Sequence, residues 1–125
     1  MRATVLLVDD DFAYLETLAA LLEEEGFAVR KAGSGAEALT LLAEDLPDLC
    51  IVDLMMPFVD GLAMLRRMRA EPRTAQVPVV VVTAVPLETL PPLPGCAGIY
   101  AKPVRIDDLL ASLRRVLAER APPAR

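Results

Sequence analysis

Short apolar runs alternate along this chain with stretches in which apolar residues recur at helical spacing. Thr4-Val5-Leu6-Leu7-Val8 is apolar toward both faces, as in a strand covered on both sides of a parallel sheet. From Asp11 to Glu25, the residues Leu15, Leu18, Leu21 and Leu22 fall on one helix face, and Gly26 should stop that helix. Phe27 to Ala32 predicts a second strand. Ser34-Gly35-Ala36-Glu37 has capping-box spacing and opens a helix through Ala38, Leu39, Leu41 and Leu42. Leu49 to Val52 predicts a third strand, and Gly61 to about Ala70 a helix with Asp60 as its N-cap and Pro72 beyond its end. Val79 to Thr83 predicts a fourth strand and Ile99 to Ala101 a short fifth. The last helix should run from Ile106 to Glu119, with Leu109, Leu110, Leu113, Val116 and Leu117 inward and Arg114, Arg115 and Arg120 favouring its carboxyl end. Such βα alternation predicts one domain over residues 1–120, an open parallel sheet with helices on both faces, followed by a short Pro-containing tail at 121–125.

Ligands on open parallel sheets gather at the carboxyl ends of the strands. Polar residues stand at four of those ends: Asp9 and Asp10 after the first, Asp53 after the third, Thr83 at the fourth and Lys102 after the fifth. Singly, each reads as a turn former or a cap. Asp11 reads as a first-turn residue of the first helix. Three carboxylates brought together raise one another's pKa unless a cation is present, and Mg²⁺ suits a few carboxylates with retained water. Lysine adds a fixed positive charge and threonine a hydroxyl donor. The set forms a pocket for a phosphoryl group, with Asp53 best placed as nucleophile and Asp9 and Asp10 as metal ligands.

Composition narrows the chemistry further. The 125 residues include no histidine, which excludes Ser-His and Cys-His catalysis and histidine metal ligands. The net charge of −5 argues against nucleic-acid binding, which needs a basic surface. Cys50 lies in an apolar run and reads as a small core residue of a reduced compartment. Asp9-Asp10-Asp11 interrupts the apolar start, so no secretory leader is expected. No stretch approaches the roughly 18 apolar residues of a membrane span, and a cytoplasmic protein without membrane contact is expected.

Four segments resemble the receiver domains of two-component response regulators: Leu6-Leu7-Val8-Asp9-Asp10-Asp11, Val52-Asp53-Leu54-Met55-Met56-Pro57-Phe58-Val59-Asp60-Gly61, Val80-Val81-Val82-Thr83-Ala84 and Ala101-Lys102-Pro103. The resemblance extends over residues 3 to 118. It implies a flavodoxin-like α/β fold, a five-stranded parallel sheet in the order 2-1-3-4-5. It makes Asp53 the phosphoacceptor, Asp10 a direct Mg²⁺ ligand, Asp9 a ligand mostly through water, and the Met55 carbonyl the remaining protein ligand. Thr83 and Lys102 would hold phosphoryl oxygens, and Lys102-Pro103 would be cis. The implied phosphodonor is a histidine kinase or histidine phosphotransfer protein, with output by docking to another protein from a monomer or weak homodimer. On this reading the chain is a stand-alone regulator that acts as no enzyme beyond its own phosphorylation and slow dephosphorylation.

Two stretches depart from the family pattern. Receivers carry Tyr or Phe three residues before the lysine; here that residue is Ile99, and Tyr100 should face the opposite side unless a bulge shifts the register. Pro86, Pro91, Pro92 and Pro94 leave room for at most one short turn, near Leu87 to Leu90, so the fourth helix should be degenerate. Either a stiffened loop or an altered partner surface accounts for them. Met55 and Val85 flank the site with apolar side chains that cannot orient a hydrolytic water. Arg66, Arg67, Arg69 and Arg73 read as a solvated helix face, with an acidic partner as the lesser alternative. A receiver-like module that signals without phosphorylation is the second reading. A haloacid-dehalogenase-like phosphatase would need Asp where Met55 stands, and a flavodoxin-like FMN carrier would need a Ser/Thr/Gly-rich loop where the aspartates stand.

Overall fold

β-branched and leucine-rich runs build the sheet. The structure, a computed structural model, describes residues 2–55, 61–93 and 95–119. Five strands, β1 (Thr4–Val8), β2 (Ala28–Ala32), β3 (Leu49–Val52), β4 (Val79–Thr83) and β5 (Cys96–Ala101), pair in parallel in the order β2-β1-β3-β4-β5. Helices α1 (Phe12–Glu24), α2 (Gly35–Glu44) and α3 (Gly61–Ala70) make the first three crossovers, and α4 (Ile106–Glu119) follows β5. No described helix is long and apolar enough to cross a membrane.

Alternation along the strands divides the core in two. Val5, Leu7, Ile51, Val80 and Val82 pack against Leu15, Leu18, Leu22 of α1 and Leu109, Leu113 of α4. Leu6, Val8, Cys50, Val52, Val79 and Val81 pack against Ala38 and Leu42 of α2 and Met64, Leu65 and Met68 of α3. Each fully buried Leu, Val or Met contributes about 1.5–3 kcal/mol, so both layers are needed to hold the strand ends in place.

The helix signals act locally as the sequence suggests, with adjustments. Asp11 is the N-cap of α1, accepting from the Tyr14 amide, and not a first-turn residue. Ala19 takes the buried place expected of Leu21, which is exposed, and Gly26 closes the helix at φ +96°. Ser34 caps α2 through the Glu37 amide, while Glu37 reaches back to the Gly33 amide, one residue before the cap. β2 begins one residue later than expected, at Ala28. β5 is six residues long, starting at Cys96 and not at Ile99. Its first half, Cys96-Ala97-Gly98, has weak strand propensity, but pairing with β4 fixes it all the same. Arg114 and Arg115 lie before the last turn of α4 and pair with Glu25 and Glu119. Asp60, Pro94, Arg120 and the tail at 121–125 lie outside the described residues.

Among the described residues between β4 and β5 there is a 3₁₀ turn at Leu87–Thr89 and no α-helix, in keeping with the prolines. Leu90 and Leu93 lie against the core layer of α2 and α3. The β4–β5 register shifts between Val79 and Val80, well before Tyr100. Beyond it Ile99 stands opposite Val81 and Tyr100 opposite Val82, so Tyr100 packs on the α1–α4 side, away from the Ile99 face. Ile99 is 40% exposed.

Arg69 overturns the expectation of a uniformly solvated basic face. Its Nη1 donates to the carbonyls of Ala75 and Val77 at 2.9 and 2.8 Å, and its Nη2 to Gly95 at 2.9 Å. Arg73 donates to the Leu42 carbonyl. Arg69 thus ties α3 to the approaches of β4 and β5. The variant Arg69→Met should lose about 1.5–3 kcal/mol of stability in urea denaturation, because charge-assisted hydrogen bonds to three carbonyls, two of them partly buried, are lost together; Arg66→Met, on the exposed face, should change little.

Candidate functional site

The strand order reverses at β1, and the crevice beyond β1 and β3 is where an open sheet offers a site. Asp9 follows β1, its backbone amide bonded to the Ala32 carbonyl at 3.1 Å. Asp53 follows β3, with its amide bonded to the Val8 carbonyl at 2.9 Å. Both side chains are buried, and Asp10 is exposed beside them. One carboxylate oxygen from each of Asp9, Asp10 and Asp53 lies within 4.8 Å of the others. Backbone amides orient two of the three: Asp11 donates to Asp9 Oδ1 at 2.9 Å and Met55 to Asp53 Oδ1 at 3.0 Å.

Lys102 closes the pocket from β5. Its Nζ donates to Asp9 Oδ2 at 2.6 Å and Asp53 Oδ2 at 3.2 Å. Its own amide is bonded to the Thr83 carbonyl at 2.9 Å, and the Lys102–Pro103 bond is cis. Thr83 ends β4 fully buried; its Oγ1 accepts from the Val85 amide at 3.2 Å, which leaves the hydroxyl hydrogen to donate elsewhere.

Burial pushes the Asp9 carboxyl above its ordinary pKa, against the lowering by Lys102 and the Asp11 amide. Burial pulls Lys102 down, but its hydrogen bonds and charge contacts with Asp9 and Asp53 outweigh that and raise it. One ammonium against three carboxylates leaves the cluster negative. Hard oxygen donors with that surplus charge have the chemistry of a divalent-cation site.

All five residues expected at the strand ends converge on this edge. Met55 is placed beside it with its side chain 62% exposed. Two residues away from the strand ends also shape the site. A Cβ on Gly61 would collide with the Asp53 carbonyl oxygen and lie 2.7 Å from the Leu54 Cα, so glycine there lets α3 start against the Asp53 backbone. Tyr14 places its ring centroid 4.3 Å from Lys102 Nζ. Its position on the first turn of α1, directly after the aspartates, was the available clue.

The chain belongs to the response regulator receiver domain family, whose profile matches residues 5–114. Among proteins, it is 38% identical over 125 residues to the response regulator MprA of Mycolicibacterium vanbaalenii, covering 98% of this chain and 53% of that protein. The chain spans about half the length of the curated relatives it matches. Among solved structures, a sensor protein from Polaromonas superposes with a TM-score of 0.90 at 30% identity, covering 97% of this chain and all (100%) of that one. The receiver domain of Francisella response regulator 1452 superposes with a TM-score of 0.87 at 27% identity, covering 96% of this chain and 100% of that one. The clustered Asp9, Asp10 and Asp53 are typical of phosphoaccepting members of the family.

Relieving the carboxylate repulsion should show in stability. With EDTA present, Asp10→Asn should raise the melting temperature by about 2–4 °C, since like charges no longer crowd the pocket. MgCl₂ should raise the melting temperature of the wild type and not of the variant, because a cation that binds the folded state stabilises it. Thermal scans in both buffers check this.

Proposed function

We propose that this domain accepts a phosphoryl group on Asp53 from a phosphohistidine of a histidine kinase or phosphotransfer protein and signals through altered docking to another protein. The observation that carries the reading is the meeting of Asp9, Asp10 and Asp53 with Lys102 at one sheet edge. Asp9, Asp10, Asp53 and the Met55 carbonyl would hold Mg²⁺, whose charge neutralises the phosphoryl oxygens. The Asp53 carboxylate supplies an electron pair to phosphorus, forming the acyl phosphate bond. The phosphorus–nitrogen bond to the donor imidazole breaks, and the departing nitrogen keeps its electron pair and takes a proton. Lys102 and the Thr83 hydroxyl donate to phosphoryl oxygens as charge spreads over them. The 125 residues hold no histidine, so the donor imidazole lies outside this domain.

Intact-mass measurement after incubation with acetyl phosphate and Mg²⁺ tests the assignment. The wild type should gain about 80 Da, one phosphoryl unit, and Asp53→Asn should gain nothing. A wild type that gains no mass from acetyl phosphate or a phosphorylated histidine protein overturns it in favour of a contact-only module, the reading that Ile99 and the missing helix favour.

Hydrolysis of the acyl phosphate requires a water aligned on phosphorus. Met55 and Val85, flanking Asp53 and Thr83, offer it no hydrogen bond. The phosphorylated state should persist for minutes or longer in Mg²⁺, followed by the decay of the mass gain; a half-life of seconds would contradict this.

A further inference from the structure

We infer that Tyr14 is a positioning residue for phosphoryl transfer: the face of its ring holds the Lys102 ammonium between Asp9 and Asp53, where an incoming phosphoryl oxygen must meet it. This rests on the phosphoacceptor reading and adds to it a residue outside the strand-end set.

An ammonium has three N–H donors. Two of the Lys102 contacts are carboxylates, Asp9 Oδ2 at 2.6 Å and Asp53 Oδ2 at 3.2 Å, and a third is the Tyr14 ring, 4.3 Å from Nζ to centroid. That separation is well inside the range in which a ring face attracts a cation. The ring is fixed from both sides. Its backbone amide is bonded to the Asp11 cap, which locks the first turn of α1, and its side chain packs against the α1–α4 core layer. It shares a small hollow with Asp9, Asp53 and Val82 directly beneath the pocket.

The choice of an aromatic group matters chemically. Lys102 must release part of its hold on Asp53 when that carboxylate becomes an acyl phosphate, and then donate to phosphoryl oxygen. A carboxylate at position 14 would compete with the phosphoryl group for the ammonium. An aliphatic side chain would leave the lysine, a flexible four-carbon stem, free to follow Asp9 alone or turn to solvent. A ring face attracts the charge without taking a hydrogen bond away from it.

The experiment uses the whole chain with Tyr14→Phe and Tyr14→Met, which separate ring from volume. In the wild type the Lys102 ε-methylene protons should be shifted upfield by the ring current. That shift should persist in Tyr14→Phe and vanish in Tyr14→Met. The rate of phosphorylation by acetyl phosphate in saturating Mg²⁺ should fall about three- to tenfold in Tyr14→Met and stay near wild type in Tyr14→Phe. A Tyr14→Met rate equal to wild type overturns the inference and leaves the phosphoacceptor reading standing. Equal slowing in both variants also overturns it, because the hydroxyl would then be responsible. So does an unshifted ε-methylene in the wild type, a measurement that needs no variant to fold. A wild type that takes up no phosphoryl group at all overturns both.

Discussion

The ammonium of Lys102 is the constraint on which the site depends. Asp9 and Asp53 are buried at the ends of neighbouring strands, and two carboxylates in such a place repel each other strongly. A single cation spanning Asp9 Oδ2 and Asp53 Oδ2 makes the arrangement tenable while leaving surplus negative charge on the cluster. That surplus gives the cluster the chemistry of a divalent-cation site.

Holding these groups to fractions of an ångström falls to the apolar layers on either side of the sheet. Val8 and Val52 are buried immediately before the two aspartates, and Thr83 follows an unbroken valine run. Hydrogen bonds between neighbouring strand ends continue past the strands themselves, from Asp53 to Val8, Asp9 to Ala32 and Lys102 to Thr83. The functional backbone is an extension of the ladder: Asp9, Asp53 and Lys102 are tied to the neighbouring strand by the same kind of bond as the residues before them.

Much of this was legible in the sequence, and the reasons differ by residue. Strands β1, β3 and β4 announce themselves because the runs at residues 5–8, 49–52 and 79–82 are apolar at every position and buried on both faces. Asp9, Asp10, Asp53, Thr83 and Lys102 could be gathered once the sheet was taken as parallel. What sequence could not show was contact between segments. The six-residue length of β5 is imposed by β4 on Cys96-Ala97-Gly98, which carry little strand preference of their own. Arg69 looked like its solvated neighbours because nothing local reveals that carbonyls from 75, 77 and 95 converge on it. Tyr14 and Gly61 are ordinary helix residues until the opposite wall of the pocket is known.

The flank between β4 and β5 has a consequence of a different kind. Pro86, Pro91 and Pro92 have no amide hydrogen, and the single 3₁₀ turn at Leu87–Thr89 is too short to store a helix–coil transition. A disturbance at Thr83 reaches β5 through the bond from the Lys102 amide to the Thr83 carbonyl. Beside that connection the described residues hold no α-helix to wind or unwind. On this side the pocket therefore connects to β5 through strand pairing, which sets Ile99 opposite Val81 and leaves it on the exposed edge of the sheet.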